Sequence, residues 1–255
     1  MRSDQTKSII RLFIARVSLI AFVICALAAA NSFAQKQSSK QAKAKSQTRI
    51  GPREIREAEE LLSNLGYWTG PIDGRMDKAS RDALIAFQKV EGRKITGRLT
   101  ASELRALQSA NRPSPREGGE AHVEVDLDRQ VLFVVDGSGN VSKILPISSG
   151  NGEEFTSEGW TRQAITPTGR FKVHRKLEGW RKSPLGLLYY PNYFLSGVAI
   201  HGNPTVPTRP ASHGCVRIPM YAAKEFSDMT PIGTVVLVYG DNPFAQGKSS
   251  ATNQR

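Results

Sequence analysis

The sequence predicts a multidomain α+β protein, a small three-helix bundle followed by a mainly β domain. Three observations predict it. Apolar residues recur at helical spacing through residues 52–110. From Ala121 onward the alternation changes to a period of two. Between the two patterns, NRPSPREGGE (111–120) carries prolines and glycines and reads as an interdomain linker. The expected boundaries are 51–110 for the helical domain, 111–120 for the linker and 121–240 for the β domain.

The N-terminal end reads as a targeting segment. Arg2, Lys7, Arg11 and Arg16 precede an uncharged apolar run from Val17 to Ala30, and Ser32-Phe33-Ala34 supplies a small-x-small cleavage site. The run falls short of the roughly 20 apolar residues that span a bilayer. Residues 1–34 are therefore expected to be a signal peptide, with an uncleaved membrane anchor as the alternative. Either way the chain is exported, to the periplasm or cell wall. Residues 35–50, rich in Gln, Lys, Ser and Ala, read as a disordered basic tether, and 241–255 as a disordered tail. The net charge of +12 suits anionic envelope polymers or lipid head groups outside the cytoplasm. No nucleic-acid partner is expected, because the chain has no helix-turn-helix, zinc-finger or RNA-binding signature.

Each helix has a start or stop signal. Ile55, Ala58, Leu61, Leu62 and Leu65 make one helical face, and Gly66 can end that helix. GYWTGPIDG (66–74) is turn chemistry. Asp77 can cap a second helix carrying Ala79, Ala83, Phe87 and Val90. Thr100 to Glu103 form a capping box before Leu104 and Leu107. In the β domain, strands are expected near 122–127, 131–135, 141–147, 171–175, 189–194, 198–201 and 234–239. A hairpin turn falls at 136–140, and a helix opens at Pro219 and runs to about Asp228.

The chemistry concentrates at SHGCVR (212–217). The chain has 2 cysteines, and Cys25 lies inside the apolar N-terminal run. After cleavage Cys215 has no internal disulfide partner, so an exported chain keeps it for reactivity, an intermolecular bridge or burial. A cysteine nucleophile needs a base, an orienter for that base, and donors for the developing oxyanion. His201 is the candidate base. Gly214 leaves room beside the thiol, and Arg217 favours thiolate over thiol. Two other readings stay open on these residues: a zinc site formed by His201, His213 and Cys215, and an inert buried thiol. His-Glu-x-x-His spacing is absent, and neither a metal nor another cofactor is expected. His174 is expected to be a packed or surface residue.

Two stretches carry family likenesses. EAEELLSNLGYWTGPIDGRMDKASRDALIAFQKVEGRKITGRLT (57–100) resembles the three-helix peptidoglycan-binding domain. IHGNPTVPTRPASHGCVRIP (200–219), with TPTGRF (166–171), SSGNG (148–152) and YYPNYF (189–194), resembles the L,D-transpeptidase catalytic domain of the YkuD family. Here the spacer between His201 and Ser212 is short and Asn203 follows the His-Gly pair, differences that bear on the loop lining the substrate groove. The second resemblance implies a YkuD-like β-sandwich, with Cys215 as nucleophile and His201 as base, its ring held by the Gly202 carbonyl. It implies that His213 and Gly214 shape the site, with backbone N–H groups at 213–215 as the oxyanion hole. Ser212 and Arg217 would brace the loop and the substrate, and Tyr190 and Tyr193 would line the groove. The implied partner is peptidoglycan, as donor and acceptor stem peptides. The acceptor could instead be water, making a carboxypeptidase, or an amine of an envelope protein. A non-catalytic wall-binding protein is the alternative from another class.

Overall fold

The computed structural model describes residues 50–240. The expected signal segment, the tether up to residue 49 and the C-terminal tail lie outside the described residues. Helix α1 (Pro52–Asn64) opens with a proline, whose missing N–H is an orphan there in any case, and the Glu54 carboxylate accepts the Gly51 N–H. Gly66, at φ 95°, turns the chain out of the helix. Helix α2 (Lys78–Val90) is capped by Asp77, which accepts the Ser80 N–H at 2.8 Å. Helix α3 (Ala101–Ser109) is capped by Thr100, which accepts the Glu103 N–H at 3.2 Å. The reciprocal half of that capping box is replaced. The Glu103 carboxylate takes the Arg93 guanidinium at 3.0 and 3.2 Å instead, a charge-assisted fork stronger than a bond to a neutral N–H.

The strands are β1 (His122–Asp126), β2 (Val131–Val135), β3 (Val141–Pro146), β4 (Glu154–Ser157), β5 (Trp160–Gln163), β6 (Gly169–Lys172), β7 (Arg175–Lys176), β8 (Trp180–Ser183), β9 (Gly186–Leu195), β10 (Val198–Asn203), β11 (Val216–Pro219) and β12 (Val235–Tyr239). One sheet has the order β3-β2-β1-β12-β6, with β1 and β12 parallel. The other runs β11-β10-β9-β7, with β8 also paired to β9. The strands β4 and β5 form a separate hairpin. A 3-10 turn at Met220–Ala222 leads into helix α4 (Ala223–Met229). Among the described residues no helix is long and apolar enough to cross a membrane.

Strand periodicity explains how the layers meet. Leu132 and Val134 of β2 join Val123, Val125, Val236, Phe194, Ile200, Val216 and Ile218 in a core between the two sheets. The alternate residues Val131 and Phe133 point the other way, with Val141 and Ile144 of β3, and meet Ala58, Leu62, Leu84, Phe87 and Leu107 of the helices. The first sheet is thus covered on both faces, which is why VLFVV is apolar at every position. The helical segment has no core of its own separate from this sheet. Gly66 and Trp68 exchange backbone hydrogen bonds with Ile144 at 2.8 and 3.1 Å, and the Tyr67 ring sits edge-on to Phe87.

Residues 111–120 also differ from a free linker. Arg112 donates to the carbonyls of Asn64 and Val141. The N–H groups of Arg116 and Glu117 both end on the buried Glu124 carboxylate, at 2.9 and 2.8 Å. The expected strand 171–175 breaks at Val173 and His174. The Val173 N–H bonds to Thr234 beside the first sheet, and the His174 N–H bonds to Tyr193 of the second. The chain changes sheets there, which splits β6 from β7.

Candidate active site

The strand register assembles the site. Strand β10 pairs with β11 in parallel, Ile200 against Val216 and His201 against Arg217. Ile200, Val216 and Ile218 face the sandwich core. Alternation therefore turns His201 and Arg217 to the opposite face, and Cys215, in the bend just before β11, opens onto the same cavity. All three line this cavity, of about 450 Å³, on the outer face. One wall is the β4–β5 hairpin, with Phe155 and Trp160, and another is the β8–β9 hairpin, with Leu185 and Leu187.

His201 is 4% exposed, and its Nδ1 lies 2.9 Å from the Gly202 carbonyl oxygen. A carbonyl can only accept, so Nδ1 carries the hydrogen and Nε2 keeps its lone pair for a proton. Burial pushes the imidazole down to about 4, opposed by that carbonyl and assisted by the charge on Arg217. The ring is a neutral base at physiological pH. Gly202 has a packing reason to lack a side chain, since a Cβ there would lie 2.6 Å from the Ala223 Cβ.

Cys215 is partly exposed at the cavity floor. Burial of its sulfur pushes the thiol above its ordinary value, while the Ala199 N–H and the Arg217 charge pull the other way. Sγ also lies 3.8 Å from the Gly197 carbonyl oxygen. The thiol and the imidazole are thus both neutral at physiological pH.

The cysteine loop is fastened by the other conspicuous motifs. Ser212 Oγ donates to the Cys215 carbonyl and accepts the Gly214 N–H at 3.0 Å. Thr166 Oγ1 donates to the Gly214 carbonyl at 2.8 Å and accepts the Gly150 N–H at 2.9 Å. The Ser148 backbone brackets Arg217, the Ser149 carbonyl accepts from Ala211 and Ser212, and the Asn151 N–H bonds to the Ser212 carbonyl. Gly214 adopts φ 127°, and a Cβ there would come within 2.9 Å of the Ile165 carbonyl oxygen. SSGNG and TPTG act as the frame for SHGC.

The sequence-derived residues divide accordingly. Cys215, His201, His213, Gly214, Ser212, Arg217 and Tyr193 line the cavity. Gly202 lies behind it and orients His201. Tyr190 packs against the sandwich core and the Tyr189 ring, not against the cavity. The Gly214 N–H is engaged by the Ser212 hydroxyl. His213 is exposed and rests edge-on against Phe155, with ring centroids 4.8 Å apart. Among the described residues no three His, Cys, Asp or Glu side chains group so as to hold a metal. His174 is exposed and outside the cavity lining. Sequence reasoning missed the anchoring role of Thr166, although TPTG itself was visible. It also missed the β4–β5 hairpin, whose exposed alternation carries no core signal.

Comparison with known proteins gives the same answer as the motifs. Residues 120–238 match the model of the YkuD family, the L,D-transpeptidase catalytic domain, and residues 52–107 match a peptidoglycan-binding domain. The solved L,D-transpeptidase of Xylanimonas cellulosilytica is 40% identical, with 73% of this chain and 93% of that chain covered and a TM-score of 0.70. An L,D-transpeptidase structure from Stackebrandtia nassauensis is 26% identical, covering 74% of this chain and 92% of that chain with a TM-score of 0.43. No curated protein matches the chain. With a solved relative this similar over nearly its whole length, and a cysteine loop framed by the family's own motifs, the chain belongs to the L,D-transpeptidase family.

Proposed function

We propose that the chain is an exported cysteine acyltransferase that cross-links peptidoglycan stem peptides through a thioester on Cys215. The observation that carries this reading is that His201 of β10 and Cys215, the residue just before β11, line one cavity, with Nδ1 of the histidine held on the Gly202 carbonyl. His201 Nε2 takes the thiol proton as Sγ attacks the carbonyl between the third stem residue and a terminal D-alanine. The tetrahedral oxyanion is met by backbone N–H groups of His213 and Cys215. Collapse breaks the C–N bond, the imidazolium returns its proton to the departing amine, and D-alanine leaves. An acceptor amine then attacks the thioester, gives its proton to His201 and releases the thiolate. Arg217 holds positive charge beside the sulfur and offsets part of the cost of ionising a buried thiol.

The peptidoglycan-binding segment on the same chain supports a cell-wall substrate, and the apolar N-terminal run supports export. Intact mass of the mature protein after incubation with a carbapenem tests the nucleophile. One adduct on the wild type and none on Cys215→Ala is the expected result, and equal labelling of both proteins defeats the proposal. Muropeptide digests then assign the acceptor. Cross-links between third residues mean a stem amine, shortened stems mean water, and protein-linked stems mean an envelope protein.

A further inference from the structure

The cavity has a strong charge bias. Arg162, Arg175, Arg181 and Arg217 line it, and Glu158 is the only carboxylate among its lining residues. None of these arginines forms an ion pair among the described residues. One of the four is pre-organised. The Arg175 guanidinium carbon lies over the Tyr193 ring, 4.0 Å from its centroid. Contact with the ring restrains the guanidinium, whose N–H groups can then meet a carboxylate.

The register sets where that guanidinium stands. Arg175 of β7 pairs with Tyr193 of β9, and Tyr193 pairs with Ala199 of β10. Extending the parallel register by one residue from Ile200 and Val216 places Cys215 opposite Ala199. Arg175, Tyr193, Ala199 and Cys215 therefore form one cross-strand row. Tyr193 stands two strand spacings from the thiol, about 10 Å. An extended chain covers that distance in about three residues.

We infer that Arg175, held over Tyr193, is a specificity residue that binds a free carboxylate of the acyl donor about 10 Å from the carbonyl attacked by Cys215. This rests on the acyl-transfer reading given above and adds to it the anionic character of the donor at a defined distance. The carboxylate lies on the part of the donor retained in the thioester. Arg175 thus acts in acylation and continues to hold the acyl group while the acceptor enters.

Two synthetic donor peptides ending in D-alanine test this. They differ only in whether the residue two positions before the acylating one carries a free carboxylate or a carboxamide. The readout is kcat/KM for D-alanine release, with the rate of Cys215 alkylation by neutral iodoacetamide measured alongside. The wild type is expected to favour the carboxylate donor by tenfold or more, about the worth of one charge-assisted bond. Arg175→Gln is expected to remove that preference while leaving the amidated donor and the alkylation rate unchanged. Arg181→Gln is expected to keep it. Equal rates for both donors on the wild type, or a preference that survives Arg175→Gln or disappears equally in Arg181→Gln, overturns the assignment. Absence of D-alanine release from either donor, with iodoacetamide still alkylating Cys215, overturns the acyl-transfer reading and this inference with it.

Discussion

Replacing Phe133 by alanine tests whether the helical segment and the β domain are one cooperative structure. Phe133 is 1% exposed on β2, and its side chain points away from the sandwich core into the cluster shared with α1, α2 and α3. The Arg129 guanidinium lies 5.3 Å from its ring centroid. Truncation removes a large ring from a site closed by a sheet on one side and helices on the other, which cannot collapse freely. The expected cost is about 3–5 kcal/mol. For a unit of this size each kcal/mol lowers Tm by roughly 2–4 °C, so a drop of about 6–20 °C is expected. Calorimetry and helix circular dichroism during heating provide the assay. The shared core predicts one transition, with helix signal and calorimetric heat lost together and shifted together in Phe133→Ala. Two separated transitions in the wild type, or a helix transition unmoved by the substitution, would refute the coupling.

Other expectations follow from the site itself. Gly202→Ala forces a Cβ to 2.6 Å from Ala223; overpacking should cost about 1–3 kcal/mol by denaturant melts and reduce carbapenem acylation by disturbing the His201 support. His201 has a folded value pushed below its unfolded one, to about 4. Between those values the unfolded chain binds the extra proton, so stability is full above about pH 6.5 and falls towards pH 4, by up to about 3 kcal/mol. Urea melts of wild type and His201→Gln across that range check it, and the variant should lose the slope. Because burial raises the Cys215 thiol, its alkylation by iodoacetamide should keep climbing through about pH 9; a plateau at neutral pH would show an ion pair at rest. Thr166→Val removes the donor to the Gly214 carbonyl and the acceptor for the Gly150 N–H. It should destabilise the fold by about 1–3 kcal/mol in the same melts and slow acylation.

How much of this was legible depends on range. Signals carried by neighbouring residues were visible: the Asp77 and Thr100 caps, the Gly66 turn and the alternation through 122–127 all have their causes within a few positions. The candidate base and nucleophile were visible because His-Gly and Ser-His-Gly-Cys are local patterns. Contacts between distant segments were hidden. Nothing in NRPSPREGGE announces that its N–H groups at 116 and 117 end on Glu124, whose own strand offers them a buried acceptor. The 100–103 pattern read as a closed capping box, yet a guanidinium ten residues from Glu103 competes for its carboxylate and wins. The β4–β5 hairpin was missed because its strands bury little, so no hydrophobic period marks them. Tyr190 and Tyr193 look equivalent in YYPNYF. Tyr190 sits at φ 48°, in a left-handed conformation beside the core, and Tyr193 regains the groove face.

The deepest link between the helices and the site is polar. Lys89 of α2 is 4% exposed and donates to the carbonyls of Gln130 and Ile147 at 2.9 and 3.3 Å. Burial pushes its ammonium down to about 8, with the charge on Asp82 opposing the shift. The residue after Ile147 is Ser148, whose backbone brackets Arg217. Gln130, with φ 54°, holds Ser149 through both ends of its side-chain amide, at 2.7 and 2.9 Å. The Ser149 carbonyl in turn holds the N–H groups of Ala211 and Ser212. A continuous chain of hydrogen bonds therefore runs from the second helix, through the 147–149 segment, to the loop that presents Cys215. An apolar contact alone would let the helices slide over the sheet at little cost. A buried ammonium held by two carbonyls fixes their register, because any shift strands the charge without partners. The helical segment thus has a structural task at the Cys215 loop, independent of any glycan it binds.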